Sequence, residues 1–86
     1  MSKFQNRKTG QPVTAVQFTD FKSAERMARE MSAYAIYRHT LGTVRLDGTV
    51  IKRGQYAVMS MAAIVAMDSD TFNGRFKPYD TQMEMF

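Results

Sequence analysis

Four basic side chains fall close together in the middle of the chain: Arg38, Arg45, Lys52 and Arg53, with Tyr37 and Tyr56 nearby. Basic residues interleaved with aromatics suit an anionic partner, because the cations neutralise phosphates or carboxylates while aromatic faces stack on unpaired bases. A plainer role competes, since a solvent-facing sheet needs charged side chains to resist edge-to-edge pairing. A second group with binding character is Met83, Met85 and Phe86, set apart from the rest by Pro78 and the polar Asp80-Thr81-Gln82. Such an apolar group gains from burial against a partner or a second copy. Arg38, Arg45, Lys52, Arg53, Tyr56, Met83, Met85 and Phe86 are therefore the candidate partner-binding residues.

Constellations for catalysis are absent from the sequence. His39 is the single imidazole and adjoins Arg38 rather than a carboxylate pair. Asp68 and Asp70 flank Ser69, but the alternating oxygen donors and closing Glu of a calcium loop do not follow, and helix capping accounts for them. With no cysteine, thiolate nucleophiles, disulfides and thiolate zinc sites are excluded. No Gly-rich phosphate loop, G-x-S-x-G elbow or H-E-x-x-H occurs. The expectation is a protein that is not an enzyme, with no cofactor and no metal.

The basic residues need a scaffold, and the spacing of apolar residues supplies one. Val13–Phe18 carries apolar residues on both sides of an extended chain, with Thr14, Val16 and Phe18 on one and Val13 and Ala15 on the other. That pattern fits a strand buried on both faces. Phe21, Ala24, Met27, Ala28 and Met31 then recur at spacings of three and four after a capping Asp20, predicting an amphipathic helix over 20–33 with Met27 and Met31 in the core. Glu25 and Arg29 are placed for an i,i+4 ion pair. A strand is expected over 34–39. Asp47-Gly48 between Thr43–Leu46 and Thr49–Arg53 predicts a type I′ hairpin, with Leu46 opposite Thr49, Val44 opposite Ile51, and Arg45 and Lys52 on the other face near Val50. Tyr56–Ser60 and Ala63–Met67 form a second candidate hairpin, and a short helical turn through Phe72 is expected to stop at Asn73-Gly74. The predicted class is α+β: one amphipathic helix packed on a mostly antiparallel β-sheet of about five strands. Residues 1–12 read as a polar N-terminal arm, 13–80 as a single domain and 81–86 as a Met-rich tail.

At 86 residues, 44 % of them hydrophobic, the chain has room for one modest core. Its net charge of +4 is uneven: residues 1–53 hold ten Lys/Arg against four Asp/Glu, and residues 54–86 hold two against four. The basic front half favours nucleic acid or an acidic protein surface, and the acidic back half opposes the same partner. No apolar run reaches the ~20 residues of a membrane span, and the polar start shows no signal peptide, so a small intracellular domain is expected.

Four short motifs occur in order: Ala15-Val16-Gln17-Phe18; Thr40-Leu41-Gly42; Gly54-Gln55-Tyr56-Ala57-Val58; and Asp70-Thr71-Phe72 followed by Phe76 and Tyr79. Across Val13 to Asp80 this set resembles a group of small uncharacterised bacteriophage proteins. Gln55 stands where that group carries an acidic residue, and the stretch between Val58 and Asp68 lacks its Gly-Glu pair. The resemblance implies a phage-encoded accessory protein of the bacterial host cytoplasm, with no catalytic residues to transfer. The expected function is binding, and so inhibiting or redirecting, a host protein that handles nucleic acid. Two alternatives stand beside it: a direct single-stranded or duplex nucleic-acid binder using the basic hairpin, and a minor virion or assembly component that oligomerises through the Met-rich tail. No membrane partner is expected.

Overall fold

The computed structural model describes residues 3–79. In chain order these form β1 (Lys3–Asn6), β2 (Pro12–Gln17), α1 (Phe21–Met31), β3 (Ala35–Arg38), β4 (Thr43–Leu46), β5 (Thr49–Lys52), β6 (Tyr56–Ser60), β7 (Ala63–Met67), α2 (Ser69–Arg75) and β8 (Phe76–Pro78). The fold is α+β, and every strand pairing among the described residues is antiparallel. The strands divide into two sheets, one ordered β7-β6-β2-β1-β8 and the other β3-β4-β5. The Asp47-Gly48 hairpin, expected within a single sheet of about five strands, thus belongs to a separate small sheet.

β2 lies at the centre of the large sheet and is buried on both faces, as its two-sided apolar pattern predicts. Val16 and Phe18 face one core with Ala24, Met27 and Met31 of α1 and Val44, Leu46 and Ile51 of the small sheet. Val13 and Ala15 face a second core with Val58, Phe72 and Phe76, against which Phe4, Tyr56 and Met67 pack. The layers are therefore α1 and the small sheet, then the large sheet, then Phe72 of α2. Each fully buried Leu, Ile, Val, Phe or Met contributes about 1.5–3 kcal/mol.

α1 begins at a capping box. The Asp20 carboxylate accepts from Ser23 N at 2.9 Å, and Ser23 Oγ accepts from Asp20 N at 3.0 Å. Two orphan N–H groups are satisfied reciprocally by this arrangement. The helix stops at Met31, two residues earlier than expected, because Ser32 adopts a left-handed conformation (φ 50°). Its ion pair is Arg26 Nε to Glu30 Oε2 at 3.9 Å, not Glu25–Arg29. Phe21, assigned to the core face, is exposed and instead rests edge-on against Tyr37 at 5.3 Å.

Two strands escape the sequence reading. Lys3–Asn6, where the composition predicts a polar arm, forms β1 between β2 and β8, with Phe4 edge-on to Phe72 at 4.9 Å. β8 occupies the sheet edge, the place where Pro78 costs no ladder hydrogen bond. α2 runs through Asn73-Gly74 to Arg75 rather than stopping there. Asp68 sits at its N-cap without a side-chain cap bond; the carboxylate accepts from Gln55 Nε2 at 2.9 Å instead. Ser69 and Asp70, either of which the sequence offers as the cap, lie inside the helix instead, and Asp68 at the N-cap position makes no capping bond.

Candidate interface on the small sheet

The register of the small sheet decides which side chains share a surface. Ala35 pairs with Leu46 and Tyr37 with Val44 across β3 and β4; Val44 pairs with Ile51 and Leu46 with Thr49 across β4 and β5. Those residues form the inner face, which holds buried Val44, Leu46 and Ile51. Alternation then sends Ile36, Arg38, Thr43, Arg45, Val50 and Lys52 to the outer face. One cross-strand row reads Ile36-Arg45-Val50 and the next reads Arg38-Thr43-Lys52. Arg38, Arg45, Val50 and Lys52 are exposed, and Val50 retains 46 % of its surface. The outer face therefore carries three cations, no carboxylate and an aliphatic residue on each side of Arg45.

Strand spacing puts Arg38 and Lys52 roughly 10 Å apart, with Arg45 at a similar distance from both. Like charges at that separation repel by about 0.5 kcal/mol per pair in water. An anionic surface laid across the face relieves the repulsion.

The turns around this face are tightly determined. Asp47 and Gly48 have φ of 47° and 92°, the positive pair a type I′ turn requires. At the opposite end, Arg53 N donates to Gly42 O at 3.0 Å, and its guanidinium lies over Gly42. A Cβ at Gly42 would stand 3.3 Å from Arg53 Nη1, and Gly42 has φ +64°, so both space and backbone favour glycine. Gln55 then fixes the end of β5, its Oε1 accepting from Lys52 N at 2.9 Å and its N–H donating to Lys52 O at 2.9 Å. Thr49 Oγ1 donates to Ile64 O at 3.2 Å, which ties β5 to β7 of the large sheet.

Of the sequence candidates, Arg38, Arg45 and Lys52 come together on one face, and Arg53 lies beyond the end of β5 next to Gly42. Tyr56 does not join them. It belongs to the large sheet, where its ring stacks on Phe72 at 3.9 Å and 8° in the second core. Tyr37 is likewise turned inward, edge-on to Phe18 at 6.0 Å. Met83, Met85 and Phe86 lie outside the described residues. Sequence reasoning left out Ile36, whose place on the outer face becomes visible only once the β3–β4 register is known.

His39 is a surface residue with Nδ1 3.4 Å from the Tyr37 hydroxyl. Among the described residues no group of three or more His, Asp or Glu is placed to hold a metal, and no helix is long and apolar enough to cross a membrane. Among the described residues, one hollow lies beside Gln55, Asp68 and Arg75 and another at the start of α1. Neither contains a nucleophile paired with a base. Comparison with protein-family models, curated proteins and solved structures found no match to this chain.

Proposed function

We propose that this protein is a non-enzymatic binding module that docks the outer face of β3–β4–β5 onto an acidic surface of another protein. The observation that carries the reading is the shared face of Arg38, Arg45 and Lys52 with Ile36 and Val50 and with no carboxylate among them. Protein interfaces enrich Arg and bury apolar side chains around it, and this face sets Arg45 between Ile36 and Val50. A direct single-stranded nucleic-acid binder needs exposed rings for bases to stack on. Tyr37 and Tyr56 pack inward, while the exposed Tyr34 adjoins the sheet at the Asp47 turn; it is the aliphatic residues flanking Arg45 that favour the protein partner.

The resemblance to small phage proteins makes that partner a bacterial host protein. Enzymes that process nucleic acid carry clustered carboxylates for their metal ions, and a cationic face of this size covers such a cluster and inhibits or redirects the enzyme. Affinity capture from nuclease-treated bacterial lysate tests the reading when wild type is run beside R38E/R45E/K52E. The expected result is one nuclease-resistant partner, lost with the triple variant while its thermal melt stays unchanged, whose purified form binds wild type alone. Capture that survives the triple variant, or disappears with nuclease, contradicts it.

A further inference from the structure

We propose that the groove between β7 and α2 takes an extended peptide segment of a protein partner as an added strand, with an aliphatic side chain over Met67 and a carboxylate over Val65. β7 is an edge of the large sheet, and its register decides which backbone groups it leaves open. Ser60 pairs with Ala63 across a two-residue turn, and the pairs Val58–Val65 and Tyr56–Met67 follow at intervals of two. Hydrogen-bonded positions alternate in an antiparallel pair, so these residues turn their N–H and C=O towards β6, and Ile64 and Ala66 turn theirs away. Ile64 bears this out, because its carbonyl accepts from Thr49 Oγ1 of β5 at 3.2 Å. Ala66 N–H and C=O, by contrast, have no hydrogen-bond partner among the described residues. Residues 61–67 also carry no charge and no proline, the devices that usually blunt a sheet edge.

Beside Ala66 the chain reverses at Asp68, and α2 runs back along β7 to enclose a hollow of about 400 Å³, within the range of ligand clefts. Val65 and Met67 supply its strand side. They share the face of the sheet that carries Val58 and Phe72, and Val65 keeps 48 % of its surface exposed. Thr71 and Arg75, four apart on α2, form the facing wall. The two charges in the hollow are held differently. Asp68 Oδ1 accepts from Gln55 Nε2 at 2.9 Å, whereas the Arg75 guanidinium is exposed and makes no hydrogen bond or ion pair among the described residues.

These features select the occupant. A strand laid antiparallel on β7 exchanges two backbone hydrogen bonds with Ala66, the mode by which sheet edges capture extended peptides. The side chains on either side of its central residue point to the α2 side, the earlier one over Met67 and the later one over Val65. An aliphatic group suits the first place. A carboxylate at the second meets the unpaired guanidinium of Arg75; moved to the first, it meets Asp68 and is repelled. The small sheet packs on the opposite face of the large one, so the groove stands independently of the docking surface on β3–β4–β5.

The test is fluorescence anisotropy of the full chain with a labelled Ser-Val-Thr-Glu-Thr amide. Saturable binding with a Kd below about 1 mM is expected, weakened at least ~10-fold by Arg75→Glu with an unchanged melt. Exchanging the peptide's Glu for Lys weakens binding to the wild type by a similar factor and restores it to the Arg75→Glu protein. N-methylation of the central Thr removes the donor to Ala66 O and abolishes binding. Any of four results overturns the proposal: no saturable binding, an N-methylated peptide that binds as tightly, Glu and Lys peptides that bind equally, or a loss as large from R38E/R45E. Binding that emerges only after residues 81–86 are deleted also overturns it, since the groove then belongs to the chain's own tail.

Discussion

Tyr34 and Asp47 are joined by two hydrogen bonds: Tyr34 N donates to Asp47 Oδ1 at 3.0 Å, and Asp47 N donates to Tyr34 O at 3.1 Å. The first residue of the hairpin turn is thereby locked to the segment between α1 and β3. The bonds fix how β4 and β5 sit against α1, and so where the cationic outer face points. They also explain why this position carries Asp, whose side chain tolerates a left-handed backbone and supplies the acceptor.

Asp47→Ala is expected to cost about 1–2 kcal/mol, combining the lost hydrogen bond with the left-handed strain on alanine. Asp47→Asn keeps both features and is expected to stay within about 0.5 kcal/mol of the parent. Urea unfolding of the three proteins measures the difference.

The β6–β7 turn makes the opposite prediction. Met61 and Ala62 have φ of 52° and 69° and occupy the same kind of turn as Asp47-Gly48, without its favourable residues. Ala62→Gly is expected to stabilise the protein by about 1 kcal/mol, raising the melting temperature by about 4–8 °C. Gly48→Ala, at φ +92°, moves it down by a similar amount. A calorimetric scan of both variants reads the two signs.

Met31 is 4 % exposed in the core shared by both sheets and α1. Met31→Asp places a carboxylate among apolar side chains at a cost of several kcal/mol, enough to unfold a domain of this size. Loss of the cooperative thermal transition by circular dichroism is the expected outcome.

Local pattern made most elements legible and left their assembly unread. The 3,4 spacing of Ala24, Met27 and Met31 located α1, and Asp47-Gly48 located the hairpin with its register. β1 was invisible because Phe4 is the one apolar residue among its four, too few for a period of two to register. Gly74 reads as a helix stop, yet Phe72 anchors α2 in the second core and the helix continues past it. Tyr56 shows the same gap at the candidate site. Its sequence distance from Lys52 is four residues, but strand alternation and membership of the other sheet put its ring against Phe72. Spacing along a chain fixes which residues share a face of one strand; it carries no information about which strands become neighbours.

The central claim is that the outer face of β3–β4–β5 is a docking surface for an acidic partner. Photo-crosslinking from Val50 tests it most directly, since that side chain sits beside Arg45 on the face and is 46 % exposed. A benzophenone amino acid replaces Val50 in one protein and the exposed Lys77 in a control, and each is irradiated in nuclease-treated bacterial lysate. The account predicts one crosslinked partner from position 50, attached through a peptide rich in Asp and Glu, and lost when Arg38, Arg45 and Lys52 are reversed to Glu. Crosslinking to the same partner from position 77, or none from position 50, contradicts it.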